Sequence, residues 1–575
     1  MVYARVAAGI VAAGLVLGVA EMVAAFTGVD SAPAYALGAT VVDHTPDGVR
    51  EWAISTFGTN DKAVLFVCMG LVAAVVAGFA GLLERVTRPI GSITFAILGV
   101  LAAVIGAGRT GEFTGALPAL FGTAAGICAL RALTRRIGDT PAQEPVTQKT
   151  RTAVGSTSRG EFGTTAAKFD AAAGDPDGTA GQADGTASQV DKAAVGDGGM
   201  AAQPDSSAAG DRATADSSAP GPGRRRVLGG IAATGVMAIG AGLAGRLLSG
   251  ARGDVTAERA TVELPRPATP LPELPPNADL RLPGLTPYLT PNSEFYRIDT
   301  ALTLPQVSTA SWSLRIHGMV EQEIRISWDD LLRRTPVETL VTLACVSNPV
   351  GGDLIGNARW LGYRLDELLA EARPLPDADM VLSRSADGWT AGTPLSALTD
   401  GRDALLAIGM NGEPLPVRHG YPARLVVPGL YGYVSATKWV TELELTRFDR
   451  ATAYWTRRGW SARGPIKTGT RIDTPRGRGR IPQGRTVIAG VAWAQHRGVT
   501  AVEVQIDNGD WRPARLSTEV STDTWRQWAY DWDATAGQHT IRARALDPNG
   551  PQTAVEQDVV PDGATGYPTL TVVVQ

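Results

Sequence analysis

The chain has 575 residues, 19% of them charged, and a formal net charge of −4 with a pI near 5.9. That balance excludes nucleic acid as a principal partner, because no basic surplus exists to displace phosphate counterions. Of the 3 cysteines, Cys68 and Cys128 lie in long apolar runs, so no disulfide framework can staple the soluble part, which must be stabilised by its core.

Four apolar runs open the chain: Val6 to Phe26, Ala63 to Leu83, Pro89 to Ala107 and Gly115 to Leu130. Each approaches the ~20 residues that cross a bilayer, and so many in such a short stretch are hard to bury in a globular core. Arg5, then Arg85 and Arg88, then Arg131, Arg135 and Arg136 mark three cytoplasmic ends by the positive-inside rule. The acidic loop 28–62, with Asp30, Asp43, Asp47, Glu51 and Asp61, is then outside, and VREWAIST within it reads as a short helix. Residues 1–136 are therefore expected to form a four-helix membrane domain. None of the histidines, His44, His317, His419, His496 and His539, lies in a run, and no CxxCH occurs. The spans have no axial ligands for a b-type haem and the chain no c-type attachment site, so an electron carrier, where one is needed, must be a separate protein.

Residues 137–223 are rich in Ala, Gly, Asp, Ser and Thr with almost no large apolar side chain, which predicts a disordered cytoplasmic linker. Arg224, Arg225 and Arg226 then precede a fifth, weakly apolar run, Val227 to Gly245. This pattern resembles a twin-arginine signal, the address of proteins exported folded. The lesser alternative is an ordinary span with basic residues on its cytoplasmic side. Both readings put the C-terminal half of the chain outside the cell membrane. Without a small-residue cleavage site, 224–250 is expected to stay as an anchor. The proline-rich tract 251–285 predicts an extended, semi-rigid stalk.

From 286 to 445, strand-like pieces (WSLRIHGMV, EIRISW, DMVLSRS) alternate with short helical ones (SWDDLLRR, RLDELLAEA), which predicts an α+β domain. Ser327, with Asp330 three residues on, reads as a helix N-cap. From 446 to 575, RTVIAGVAWA, AVEVQID, HTIRARALD and TLTVVV alternate in polarity between turns, the pattern of an immunoglobulin-like sandwich. DNGD at 507–510 reads as a hairpin turn, since Asn-Gly accepts positive φ.

One thiol remains in the soluble part. Cys345 ends the β-prone run LVTLAC and enters the turn-rich SNPVGGD, where a strand end projects into a loop. A free thiol there is either a small core hydrophobe or a soft ligand for a transition metal.

Three stretches, TPNSEFYRIDTAL, TLACVSNPVGGDLIGNARWLGYRLDELL and MNGEPLPVRHGYPARLVVPGLYGYVSATKWVTELEL, together resemble the sulfite oxidase family of molybdenum enzymes over about residues 286–575. The resemblance implies a molybdenum-molybdopterin cofactor whose metal is held by the Cys345 thiolate. It further implies that His419 and Arg424 meet the pterin phosphate, that Thr437 and Lys438 form a second phosphate-binding turn, and that Ser293, Tyr296 and Arg297 touch the pterin. Such a cofactor is inserted in the cytoplasm, so an enzyme of this kind acting outside needs folded export, which joins the two resemblances. The sandwich of this family often pairs two copies of the chain; the alternative is a sandwich packed only on its own catalytic domain.

Two departures bear on substrate. Where sulfite oxidases carry an arginine after the Cys-x-x-Asn group, this chain has Pro349, and Trp389 stands where they carry a tyrosine. Losing a fixed bidentate cation weakens binding of a small dianion, and a tryptophan provides an apolar wall with one N–H donor. Trp389 and Asn348 are thus candidate catalytic-pocket residues beside Cys345. The expected function is oxygen-atom or electron transfer to or from a small molecule other than sulfite, with sulfoxide or N-oxide reduction through a separate donor as the narrower alternative. A metal-free cell-surface binding module is a competing reading. A transporter or sensor is disfavoured because only Glu21 is ionisable inside a run.

Overall fold

The computed structural model describes residues 2–28, 31–57, 61–138, 222–477 and 479–575. Most of the expected linker, 139–221, lies outside the described residues. Five helices are long and apolar enough to cross a membrane: Val2–Thr27, Lys62–Leu83, Ile90–Thr110, Phe113–Gly138 and Arg225–Gly250. In full they are α1 (Val2–Thr27), α4 (Asp61–Leu83), α5 (Ile90–Thr110), α6 (Leu117–Gly138) with the short turn Phe113–Ala116 before it, and α7 (Pro222–Gly253). Two further helices fill the segment between α1 and α4. They are α2 (Pro33–His44), which the apolar pattern did not announce, and α3 (Asp47–Phe57), which contains VREWAIST.

The helix α1 is the centre of the bundle and packs on α4, α6 and α7. Small residues permit this. A Cβ on Gly9 would strike the backbone of Ala77 and Gly81, one on Gly18 that of Ala238, and one on Gly126 the Val16 side chain. Close backbone approach of this kind replaces the hydrophobic drive that is missing between helices in lipid.

The tract after α7, expected as an extended, semi-rigid stalk, lies along the folded body. Val255 is buried, α8 (Thr256–Thr261) follows directly, and Arg259 donates to the carbonyls of Pro414 and Leu415 at 2.6–3.1 Å. Farther on, the Ala268 N–H reaches Pro336 O at 3.3 Å, and Leu280 N–H reaches Gln527 Oε1 at 2.6 Å. The reason is that an extended, proline-rich chain leaves backbone groups unpaired within itself, free to bond the flanks of a folded body.

That body has two β-rich units. The first holds β1 (Ser313–Gly318), β2 (Ile324–Ser327), β3 (Val337–Ala344), β4 (Ile355–Arg364), β5 (Met380–Ser385), β6 (Thr390–Pro394), β7 (Leu405–Met410), β8 (Glu413–Pro414), β9 (Arg424–Val426) and β10 (Val440–Thr446). One sheet runs β2-β1-β10-β5-β6, and a second runs β3-β4-β7-β8 with β9 on β7. Short helices at Trp328–Leu332 and Leu365–Ala372 cover them, the former opened by a Ser327–Asp330 capping box. The second unit is a sandwich of β11 (Gly469–Thr474), β12 (Arg480–Ile481), β13 (Gly484–Trp493), β14 (Ala501–Ile506), β15 (Arg512–Pro513), β16 (Arg515–Leu516), β17 (Arg526–Ala534), β18 (Gly537–Asp547), β19 (Gly550–Pro551) and β20 (Thr569–Val574). Its sheets run β11-β13-β17-β16 and β12-β20-β18-β14-β15. The hairpin turn at 507–510 is present between β14 and β15, but the positive φ falls on Asp507 (+53°), whose side chain bonds His539 and Thr540 N–H.

The units meet through buried polar bonds. Thr342 of β3 takes the Trp525 N–H at 2.8 Å and donates to Asn357 of β4 at 3.0 Å, while Trp525 Nε1–H donates to Tyr288 O at 2.9 Å. The sandwich thus packs on its own chain.

Candidate functional site

Cys345 follows the last residue of β3. Its N–H donates to Leu354 O at 2.9 Å, the Asn348 N–H returns to Cys345 O at 3.2 Å, and Asn348 Oδ1 accepts the Leu354 N–H at 2.9 Å. The cysteine thus sits on a loop closed by Asn348, whose side-chain oxygen serves the loop's own backbone. Pro349 is exposed at the start of the turn that Gly351, at φ +76°, completes. Burial pushes the Cys345 thiol up, opposed by hydrogen bonds from Ser347 and by the Lys438 charge. Such a thiol is neutral by itself and becomes a thiolate when a metal cation is its partner.

Tyr296 comes from the segment before β1. That segment is fastened to β4 and β7, with Thr290 N–H on Asn357 O at 2.8 Å and Asn411 Nδ2–H on Thr290 O at 2.9 Å. Phe295 is buried between Trp360 and His419, edge-on to both at 5.8 and 5.7 Å, and stacks on Tyr296 at 5.2 Å. Burial drives the Tyr296 phenol far above its ordinary range, and Cys345 adds to this while Arg424 opposes it. Tyr296, Cys345, Arg424 and Lys438 are therefore within electrostatic reach of one another. Ser293 is exposed on the turn before them.

Arg424 opens β9 and is 4% exposed. Its guanidinium lies over Trp360 at 5.1 Å and donates only to carbonyls: His419 O at 3.1 Å, Leu425 O at 3.4 Å and Ala436 O at 3.5 Å. No ion pair to it exists among the described residues. Burial lowers it to about 10, with Tyr296 acting the other way. A buried cation with long, neutral bonds and no counterion is costly, and an anionic ligand group removes that cost. This is the observation that fits a phosphate-bearing cofactor.

His419 is buried and lowered to about 3, chiefly by burial and then by Arg424, so it is neutral. Its Nε2 meets Asn292 O at 3.0 Å, which requires the proton on Nε2. The other nitrogen then carries no proton in this structure, and through Asn292 the ring ties down the 291–297 segment. Gly420, at φ +112°, lets Arg424 and Lys438 come together: a Cβ there would lie 3.0 Å from Arg424 Cβ and 3.1 Å from Lys438 Cβ. Gly420→Ala is expected to lower stability by about 1–3 kcal/mol, the cost of a non-glycine residue held in such a backbone. Chemical denaturation measures it, and an unchanged midpoint would show that the turn relaxes freely.

The hydroxyl of Thr437 is 2.6 Å from Ser383 Oγ, and Lys438 Nζ donates to Asp299 Oδ2 at 2.8 Å. Burial pulls Lys438 down to about 8 against the upward pull of Asp299. The next residue, Trp439, has φ +50°, a left-handed conformation that a bulky side chain keeps only where its surroundings enforce it. Arg297 donates to both Asp299 oxygens, at 2.8 and 3.1 Å. Asp299, Phe295 and Trp360 were not anticipated as site residues. The readable signal for Asp299 was its position two residues after Arg297.

Trp389 lies half-buried at the tip of the β5–β6 hairpin, where its carbonyl accepts the Ser385 N–H at 2.9 Å and Ala386 N–H reaches Trp439 O at 2.9 Å. It is on the Lys438 side and does not line the small cavity under Cys345. That cavity, ≈ 30 Å³, is walled by Cys345, Asn348, Lys467, Trp493 and Gln552 among others, and is about the size of one water. Its cation is already spent, because Lys467 donates to Asp562 Oδ1 at 2.7 Å and to Gly563 O at 2.8 Å.

Residues 301–455 match the oxidoreductase molybdopterin binding domain, and residues 470–543 match the bacterial Ig domain. Mitochondrial sulfite oxidase of Homo sapiens is 29% identical over 309 residues, covering 45% of this chain and 56% of that protein. The uncharacterized oxidoreductase YuiH of Bacillus subtilis is 31% identical over 153 residues, covering 27% of this chain and 74% of that protein. The sulfane dehydrogenase SoxCD of Paracoccus pantotrophus matches in structure with a TM-score of 0.42 at 26% identity, covering 46% of this chain and 75% of that one. The chain thus spans little more than half the length of the sulfite oxidases it matches.

Proposed function

The chain belongs to the sulfite oxidase family of molybdopterin-dependent oxidoreductases, and from that premise we propose a membrane-anchored enzyme that acts outside the cell membrane on a small molecule other than sulfite. It is a molybdenum oxidoreductase rather than a metal-free binding module, and its cofactor is molybdenum-molybdopterin. When bound, that cofactor supplies two-electron oxygen-atom transfer.

The chain's own residues have separable tasks. The Cys345 loop, closed by Asn348, holds the thiolate donor in a fixed place. Arg424 and Lys438 neutralise the cofactor's anionic end, with Thr437 shaping the turn between them. Phe295 and Tyr296 form an aromatic wall, Arg297 holds Asp299, and Ser293 stands exposed on the turn before them. The observation that carries this reading is the buried Arg424 guanidinium with no carboxylate partner among the described residues.

Several features support the finer reading. With Pro349 after the cysteine loop, Lys467 spent on Asp562 and Arg424 and Lys438 assigned to the cofactor, the cavity by Cys345 has no further cation among its described lining residues for a dianion, which favours a neutral substrate such as a sulfoxide or N-oxide over sulfite. The spans hold no histidine, so a separate electron-transfer protein completes the cycle. Export by the twin-arginine machinery suits a chain that must carry its cofactor outward. The outer assignment of loop 28–62 agrees with the contact of Lys62 and Asp299 at 3.3 Å. Pairing of two copies through the sandwich is compatible with its packing on its own chain.

Molybdenum measurement on the full chain, followed by assays of sulfoxide and N-oxide reduction against sulfite oxidation, tests the proposal. About one molybdenum per chain with turnover of neutral oxides is the expected result. Rapid sulfite oxidation would overturn the substrate preference inferred from Pro349.

A further inference from the structure

Among the described residues, Asp299 is the one carboxylate paired with Lys438, and three cations share it. Its side chain is 8% exposed. Lys438 takes Oδ2 at 2.8 Å, Arg297 takes Oδ2 and Oδ1 at 2.8 and 3.1 Å, and Lys62 takes Oδ1 at 3.3 Å. A carboxylate has about four lone-pair positions, and all are engaged.

Lys62 does not belong to the β-rich unit. It stands at the start of α4, one of the helices that can span the membrane. Its ammonium group donates to Asp299 Oδ1, to Asp299 O at 3.2 Å and to Ala301 O at 2.5 Å. Two other contacts seat the same face. Gly38 of α2 backs onto Leu302, where a Cβ would lie 3.4 Å from Leu302 Cδ1, and Asp43 of α2 faces Arg458 at 3.7 Å. The segment that carries Phe295 and Tyr296 runs straight into this contact at 299–302.

We infer that Lys62, carried by the membrane region, is a positioning residue of the cofactor site: by sharing Asp299 it frees the charge of Lys438 for the cofactor's anionic end. The inference rests on the molybdopterin reading. With Lys62 in place, Asp299 divides its charge among three cations, one of them Lys438. Without it, Asp299 draws Lys438 more strongly and cancels more of the field an anion would feel. Cofactor retention is thereby coupled to the seating of the β-rich unit on the membrane helices, which act as a component of the site as well as an anchor.

The test uses the full chain purified from membranes, with molybdenum and pterin per chain followed through dialysis. Lys62→Ala is expected to release the cofactor roughly five- to thirtyfold faster than the parent, and Lys62→Arg to restore retention. The double variant Lys62→Ala with Asp299→Asn distinguishes charge from mere support, because it removes the carboxylate that Lys62 offsets; retention close to the parent is expected. In the cofactor-loaded parent, cysteines placed by Gly38→Cys and Leu302→Cys are expected to cross-link in the membrane. Parent-like retention in Lys62→Ala, no recovery in the double variant, or no cross-link overturns the inference. A parent chain that carries no molybdenum is a separate result, and it overturns the molybdopterin reading together with everything built on it.

Discussion

Cys345→Ser is expected to yield a folded chain that retains almost no molybdenum and has no oxidoreductase activity. The fold should tolerate the change. The backbone bonds that shape the loop, Cys345 N–H to Leu354 O and Asn348 N–H to Cys345 O, do not involve the sulfur, and a near-isosteric exchange typically costs less than about 1.5 kcal/mol. The metal should not tolerate it, because a hydroxyl is a harder and far less acidic donor than a thiol. Groups that merely orient metal ligands cost about 10–100-fold in affinity when removed, so loss of the ligand itself belongs at or beyond that upper figure. Elemental measurement beside a thermal melt separates the two effects. Parent-level molybdenum in Cys345→Ser would falsify the assignment of this thiol.

Arg424→Met has an expected result of opposite sign in its two readouts. Cofactor retention falls by at least the ~10–100-fold typical of a charged, hydrogen-bonded partner (~1.5–3 kcal/mol). Stability of the cofactor-free chain rises, by about 1–4 kcal/mol, because the substitution removes a buried cation that has no anion and replaces it with an apolar side chain of similar length. The lost bonds to His419 O, Leu425 O and Ala436 O reduce that gain; two of the three are 3.4–3.5 Å long and weak. Denaturant titration of cofactor-free protein gives the sign directly. A destabilised cofactor-free Arg424→Met chain would mean that the guanidinium serves the fold, and the phosphate role would fall.

The parts legible in the sequence were those with local causes. Apolar length marked the five long helices, alternation marked β1, β2, β5, β13, β14, β18 and β20, and the Ser327–Asp330 spacing marked a cap that is present in full. Cys345 was legible because it was the single soluble thiol. The hidden parts have distant causes. Asp299 matters because Lys62, Arg297 and Lys438 converge on it from separations of up to 237 residues, and no local pattern encodes that meeting. The histidine was legible as a site residue but its charge was not: only burial beside Arg424 makes His419 neutral and turns it toward Asn292. The tract 251–285 showed its extended form in its prolines, yet whether an extended chain stands free or lies along a surface depends on the acceptors that surface offers.

The shortness of the join between α7 and the β-rich body has a mechanical consequence. The helix ends at Gly253 and Val255 is already in the core of the next unit. Two residues span at most about 7 Å, so the body has almost no leash. The Lys62–Asp299 pair is part-buried, and its partners are held at short range by the chain, so the association is intramolecular. The body is therefore held in one orientation relative to the helices. An electron-transfer protein of the kind proposed above would meet the same face on every encounter.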